Sequence, residues 1–212
     1  MYQQTDQFEK KLKSRIRREF NHLLILSFDE LNSARISKET KDMFDRLLEF
    51  NEEEYRKVYS FAVKFAYSYL DKKPKKVISV DDAIEVILAQ YNFTTGYLYY
   101  PEAERKRLRI YEQMMTAKQY SDHKQYNKWL HTGANLWYKQ SLQYAIDLED
   151  YVTETIWKDA GVKYVEWIAE IDERTCHVCR DRDGTIYPID KVPEKPHYLC
   201  RCYTIPAKGE KA

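Results

Sequence analysis

Interruptions to regular backbone are rare in this chain and unevenly placed: its 212 residues hold five glycines and six prolines, and most of the prolines lie beyond residue 180. Proline removes a backbone donor and glycine weakens helices, so a long stretch with few of either can run as helix, while the remainder must turn often. The first three quarters therefore reads as helical and the last quarter as something built differently. Phe8, Leu12, Ile16, Phe20, Leu23 and Leu24 recur at helical spacing beside Lys10, Lys11, Lys13, Arg15, Arg17 and Arg18, which predicts an amphipathic helix with a cationic side. A second helix is expected from a cap at Ser37 to about Leu70, carrying the four-residue pairs Met43 and Leu47, Phe44 and Leu48, and Tyr55 and Tyr59.

Pro74 in "DKKPKK", residues 71–76, ends that run and sets the expected boundary of a helical N-terminal region over 1–76. "SVDD", from Ser79 to Asp82, has the form of a capping box before Ile84, Val86, Ile87 and Leu88. A turn is expected at Gly96 and a helix opening at Pro101, with Glu102 and Glu104 at the positive end of its dipole. Further helices are expected over 122–131 and 134–148, the second presenting Trp137, Ser141, Tyr144, Leu148 and Tyr151 on one face. The helical stretch thus occupies 77–160. After Gly161 the period changes: "VKYVEWIAEID" is rich in β-branched and aromatic residues, and "TIYPI" and "CYTIP" supply two more short strands. The predicted class is α+β, mainly helical at the N-terminal side, with a small β-sheet and metal-binding loops over 161–206 and a disordered end over 207–212.

A chain with 43% apolar and 33% charged residues has no stretch approaching the roughly 18 uncharged apolar residues of a spanning helix. The first twenty residues are basic but lack the apolar core and cleavage site of a secretory signal, so a cytosolic site of synthesis is expected. A net charge of +1 argues against non-specific nucleic-acid binding by the whole molecule and leaves only local patches to contribute. The nineteen tyrosines suit both cores and surfaces buried against a partner.

All four cysteines fall in one short segment. Cys176 and Cys179 stand at C-x-x-C spacing in "RTCHVCRDRDG", and His197, Cys200 and Cys202 follow in "KPHYLCRCY". Zinc takes four nitrogen or sulfur ligands in a tetrahedron, and a C-x-x-C turn can aim two sulfurs at one point. His197 and Cys200 repeat the two-residue gap, and Cys200 and Cys202 share a face if that segment is extended. Five candidates thus compete for four places. The alternatives are free thiols or, in an oxidising setting, disulfides. A small proline-rich segment buries little apolar surface, so a structural zinc, worth about 10–16 kcal/mol in finger peptides, would stabilise it decisively. No catalytic residue is expected, and His177, between the first two cysteines, reads as a solvated loop residue.

The segment from Val162 to Pro206 resembles the C-terminal signature of the phage head morphogenesis family, the Mu protein F-like minor head proteins. The resemblance rests on Trp167, on the D-x-x-T-C-x-x-C-x-x-x-D-G turn at Asp172, Thr175, Cys176, Cys179, Asp183 and Gly184, and on the P-H-x-x-C-R-C close at Pro196, His197, Cys200, Arg201 and Cys202. Upstream, Tyr97, Tyr99, Glu102, Arg105, Lys106 and Arg109 are similar to the family's tyrosine turn and E-x-x-R-K-x-x-R helix, so the likeness spans roughly 84–206.

That resemblance implies a minor structural protein of a tailed phage or prophage head, made in the host bacterial cytoplasm and residing in the virion near the portal vertex. It would act in head assembly or in DNA packaging and ejection, with the portal or major capsid protein as partner. Two enzymatic alternatives stand beside it. A metal-dependent nuclease would have to use His197 or His177 with Asp181, Asp183 and Glu194. An ADP-ribosyltransferase-like enzyme lacks an evident arginine, serine and glutamate set. A third reading is DNA contact through the basic helix at 10–18, "KKPKK" and "ERKRLR". Against it stands the commoner role of such charge runs as solvated faces, with Glu102 and Glu104 close enough to pair within their own helix.

Overall fold

A computed structural model describes residues 2–26, 28–29, 32–71, 74, 76–90, 100–173 and 175–208, the side chains of 88–90 and 100–108 excepted. Its elements are the helices α1 (Gln3–Ile25), α2 (Ser33–Tyr67), α3 (Val80–Gln90), α4 (Tyr100–Gln119) and α5 (His123–Asp159), then β1 (Tyr164–Ile168), α6 (His177–Arg182), β2 (Ile186–Pro188), a 3₁₀ turn at Ile189–Lys191, and β3 (Tyr203–Pro206). The class is α+β, mostly helical with one small antiparallel sheet towards the C-terminus. The expected turn at Gly96 and Tyr97 and Tyr99 lie outside the described residues, as do the side chains of Glu102, Glu104, Arg105 and Lys106.

The chain packs as two units, one of Met1–Thr5, Tyr55–Ile87 and Gln143–Ala212, the other of Asp6–Glu54 and Leu88–Leu142. The segment at 71–76 separates α2 from α3 along the chain, yet both of its flanks belong to the first unit. In the second unit the α1 stripe is buried as its spacing predicts: Phe8, Leu12, Ile16, Phe20 and Leu23 are all in the core, and Leu24 is half-buried. Ile36, Met43, Phe44, Leu47, Met114 and Leu130 of the same unit are buried as well, and the Phe44 ring meets Trp137 edge-on at 4.9 Å.

Helix boundaries follow the caps. The second helix begins four residues before the expected Ser37, because Asn32 Oδ1 accepts the Arg35 N–H at 2.9 Å and serves as its N-cap. Ser79 Oγ accepts the Asp82 N–H at 3.1 Å, as the capping-box reading requires, and Asp122 Oδ1 caps α5 through Gln125 N–H at 2.9 Å. The two helices expected over 122–131 and 134–148 are one helix of 37 residues. Gly133 does not break it. A Cβ there would lie 2.9 Å from Ile110 Cδ1 and 3.2 Å from Phe20 Cε1, so the missing side chain makes room for neighbours from α4 and α1.

In the first unit Tyr55, Val58, Ala62 and Ala66 face the core, with Tyr59 and Tyr69 half-buried, so this stripe is core rather than an open groove. Trp157 is fully buried and donates its Nε1–H to the Ala66 carbonyl at 3.2 Å. The C-terminal end of α5 closes in a Schellman motif: Gly161 takes φ of 86°, Val162 N–H reaches Trp157 O and Gly161 N–H reaches Lys158 O, both at 3.0 Å. The chain then enters the sheet, ordered β2-β1-β3 with both pairings antiparallel. Period-2 alternation sends Val165 and Trp167 into the core and leaves Tyr164 and Glu166 on the opposite face. Order continues past Pro206: Ala207 is buried and its N–H bonds to Tyr164 O at 3.0 Å, whereas 209–212 lie outside the described residues.

Candidate metal centre

Two turns build the site. The first is shorter and more regular than a loop, because Cys176 caps the six-residue helix α6, its Sγ accepting the Cys179 N–H at 3.4 Å. One helical turn then carries Cys179 to the same side as Cys176, with His177 between them exposed to solvent. The second turn runs from His197 to Cys200 and bends at Leu199, whose φ of 57° is left-handed and whose N–H is taken by Gln143 Oε1 at 2.6 Å.

All five residues singled out in the sequence meet. Cys179 Sγ lies 3.6 Å from His197 Nε2 and 3.6 Å from Cys200 Sγ. The ligand atoms of Cys176, Cys179 and His197 lie within 4.8 Å of one another, and so do those of Cys179, Cys200 and Cys202. For a zinc–sulfur distance near 2.3 Å, a tetrahedral site has an edge of about 3.8 Å, so the spacings around Cys179 suit a single ion. Cys179, Cys200 and Cys202 are buried with Trp167 and Ala169, while Cys176, Tyr187 and Val192 pack against that cluster. The four cysteines are free thiols, not disulfides. This cluster could hold a metal ion, and its sulfur and imidazole donors are not those of a hard, oxygen-seeking cation.

Electrostatics differ around the cluster. A hydrogen bond from Cys202 brings the Cys200 thiol down to about 5, with the charge of Lys195 acting in the same direction. The Cys179 backbone N–H lowers Cys176, burial pushes Cys179 up to about 12, and the bond that Cys202 makes to Cys200 raises Cys202. The His197 ring bonds to the Tyr198 carbonyl through Nδ1 at 3.0 Å, which raises its pKa and, with the proton on Nδ1, leaves the Nε2 lone pair facing Cys179.

Several motif residues form the frame of this site, a role that spacing alone did not assign. Asp172 pairs with Arg201, and Thr175 Oγ1 accepts the Asp172 N–H at 2.8 Å while donating to Glu170 O. Asp183 Oδ1 accepts the Ala169 N–H, and Gly184, at φ of 73°, donates to Trp167 O, both at 2.8 Å. Lys195 pairs with Asp150 and donates to Tyr2 OH and to Cys200 O. The Tyr2 hydroxyl in turn lies 2.6 Å from Asp150 Oδ1 and 3.0 Å from Cys202 O. Nothing in the local sequence around Tyr2 signals this role, since its partners are 148 and 200 residues away. Among the described residues, the groups of closely placed donors contain only cysteine and histidine; Asp181, Asp183 and Glu194 do not join them.

Part of the basic face of α1 is engaged in ion pairs within its own unit. Lys11 pairs with Glu54, Lys13 with Glu9, and Arg15 and Arg46 with the buried Glu19. Lys72, Lys73 and Lys75 of "KKPKK" lie outside the described residues, as do the side chains of 104–108. No helix of the described residues is long and apolar enough to cross a membrane.

Fold and site together define a mostly helical α+β chain whose small sheet carries a cysteine and histidine cluster able to hold a metal ion. Comparison with protein-family models, with curated proteins and with solved structures finds no match.

Proposed function

We propose that this chain is a minor structural protein of a tailed phage or prophage head, resident in the virion near the portal vertex and acting in head assembly or in DNA packaging and ejection. The carrying observation is the pairing of Asp172 with Arg201 beside the five gathered donors. Residues that define the resemblance to the phage head morphogenesis family thereby serve one built site instead of being scattered over the surface. In this reading a zinc ion is structural. It fixes the two cysteine turns against the sheet, giving a small terminus with little core of its own a rigid shape.

The sheet supports a docking role for that terminus. Its inner face, through Trp167, covers the cysteines. On the outer face Glu166 stands between Ile186 and Ile205 in register, and Tyr164 and Ile186 are exposed to 46% and 55%. A partly apolar sheet face backed by a metal-held layer suits contact with a portal or capsid protein. The acting groups in this reading are structural, not catalytic. The nuclease alternative gains no support, because His197 faces a thiol and, among the described residues, no carboxylate joins the donor group. DNA contact through α1 is also not favoured, given the ion pairs along it.

The test is incorporation into particles. In a phage whose genome encodes this chain, a tagged copy should co-purify with heads and label one vertex, and Ile186→Lys should reduce incorporation while leaving the isolated protein folded. Heads that never contain the chain, or DNA cleavage by the purified protein that is lost in His197→Ala, would overturn the reading.

A further inference from the structure

Five donors converge where a tetrahedral ion takes four, and the geometry points to Cys176, Cys179, His197 and Cys200 as the ligands, with Cys202 held beside them as a thiol outside the coordination sphere. The inference rests on the structural-metal reading above.

The two turns are matched. Cys176 and Cys179 are separated by two residues, and so are His197 and Cys200, so each turn offers one donor at its start and one at its end. Each start carries a hydrogen bond of the kind that orients a ligand. Cys176 Sγ receives the Cys179 N–H, which stabilises a thiolate there. His197 is bonded through Nδ1 to a backbone carbonyl, which fixes the ring and leaves Nε2 as the donor atom, the usual outer arrangement of a metal-bound histidine. The ends of both turns are buried and meet at 3.6 Å, close to the edge of a zinc–thiolate tetrahedron. Cys179 already stands at that distance from His197 as well. These contacts link one donor set across both turns through Cys179.

Cys202 belongs to neither turn. It follows the second turn by two residues and leads directly into β3 at Tyr203, where pairing with β1 fixes the backbone. Its carbonyl is engaged by Tyr2, and its side chain, which shares the apolar cluster with Cys179, Cys200, Trp167 and Ala169, is the one of these cysteines that also stands at the wall of a cleft of about 270 Å³ lined by Lys195, Val192 and Thr204. Substituting Cys202 for His197 would give an all-sulfur site, but it would strand an imidazole already oriented towards Cys179. From where it stands, Cys202 can donate its S–H to a metal-bound neighbour, a contact that reduces thiolate charge without occupying the ion.

The experiment uses the reduced full-length chain loaded with zinc, and with Co(II) as a spectroscopic stand-in. Wild type should bind one ion per chain, with X-ray absorption giving three sulfurs and one nitrogen around it. Cys202→Ser should keep one ion and an unchanged Co(II) charge-transfer band, whereas His197→Ala and Cys176→Ser should weaken binding at least tenfold. Because misfolding of a ligand variant would also lose the metal, the sulfur and nitrogen count on wild type decides independently. Four sulfurs, or loss of the ion in Cys202→Ser alone, overturns the allocation while leaving the metal reading intact; wild type that binds no ion overturns both.

Discussion

Asp172 forms an ion pair with Arg201, joining the residue that opens the first cysteine turn to the one between the last two cysteines. Both side chains are partly buried, at 32% and 24% exposure, so the pair is less screened than a free surface bridge and still well short of a desolvated one. Either Asp172→Ala or Arg201→Ala is expected to cost about 1 kcal/mol, or about 2–4 °C in Tm for a chain of this size. Thermal unfolding of both single variants and the double variant should show a coupling of similar size. Additive effects would mean the two turns are not linked through this pair.

Gly184 adopts a φ of 73° in the turn that returns the chain to β2, and its N–H bonds to Trp167 O. A Cβ added there has room, its nearest neighbour being Glu166 Oε1 at 4.0 Å, so the penalty is conformational and not steric. Gly184→Ala should destabilise by about 1 kcal/mol, and Gly184→Val by more, because branching narrows the left-handed region further. Denaturant midpoints measured on the metal-loaded protein test this order.

Trp157 fills the centre of the first unit at 0% exposure, and its indole hydrogen bond to Ala66 ties α5 to α2 within that unit. Trp157→Ala removes both the packing and the bond, and should cost about 3–5 kcal/mol. Trp157→Phe should cost less, since much of the volume stays. Equilibrium unfolding followed by far-ultraviolet circular dichroism would separate the two.

Glu149 is fully buried in α5, with one carboxylate oxygen accepting the Thr5 hydroxyl at 2.6 Å and the other lacking a hydrogen-bond partner. Burial raises its pKa from 4.5 to about 8, and the Thr5 bond offsets only part of that rise. The folded state therefore holds this proton more tightly than the unfolded chain. The stability it contributes is present below about pH 4.5 and is lost as pH rises to about 8, a span worth on the order of a few kcal/mol. Glu149→Gln keeps an acceptor for Thr5 without an ionisable proton. It should flatten the decline in Tm between pH 5 and pH 8, and a variant with an unchanged slope would refute the assignment.

The legible part of this fold was periodic. The α1 stripe and the alternation around Trp167 repeat over a few residues, and the Ser79 capping box is a fixed local spacing, so the sequence reveals them without knowledge of neighbours. Gly133 shows the limit of such reading. In sequence it resembles a helix end, and its actual purpose, admitting Ile110 and Phe20, depends on helices that local pattern does not position. Ser37 shows another: it has the right chemistry for a cap, but Asn32 has the right place.

The sequence by itself determined that the described residues before Gly161 are mainly helical and that five soft donors lie in one segment, because backbone preference and residue spacing act over short range. Tertiary structure decided which groups surround those donors. Tyr2 reaches Cys202, Gln143 holds Leu199 and Lys195 meets Asp150 only once helices and sheet have packed, and contacts across such sequence separations are fixed by the whole core, not by any local pattern.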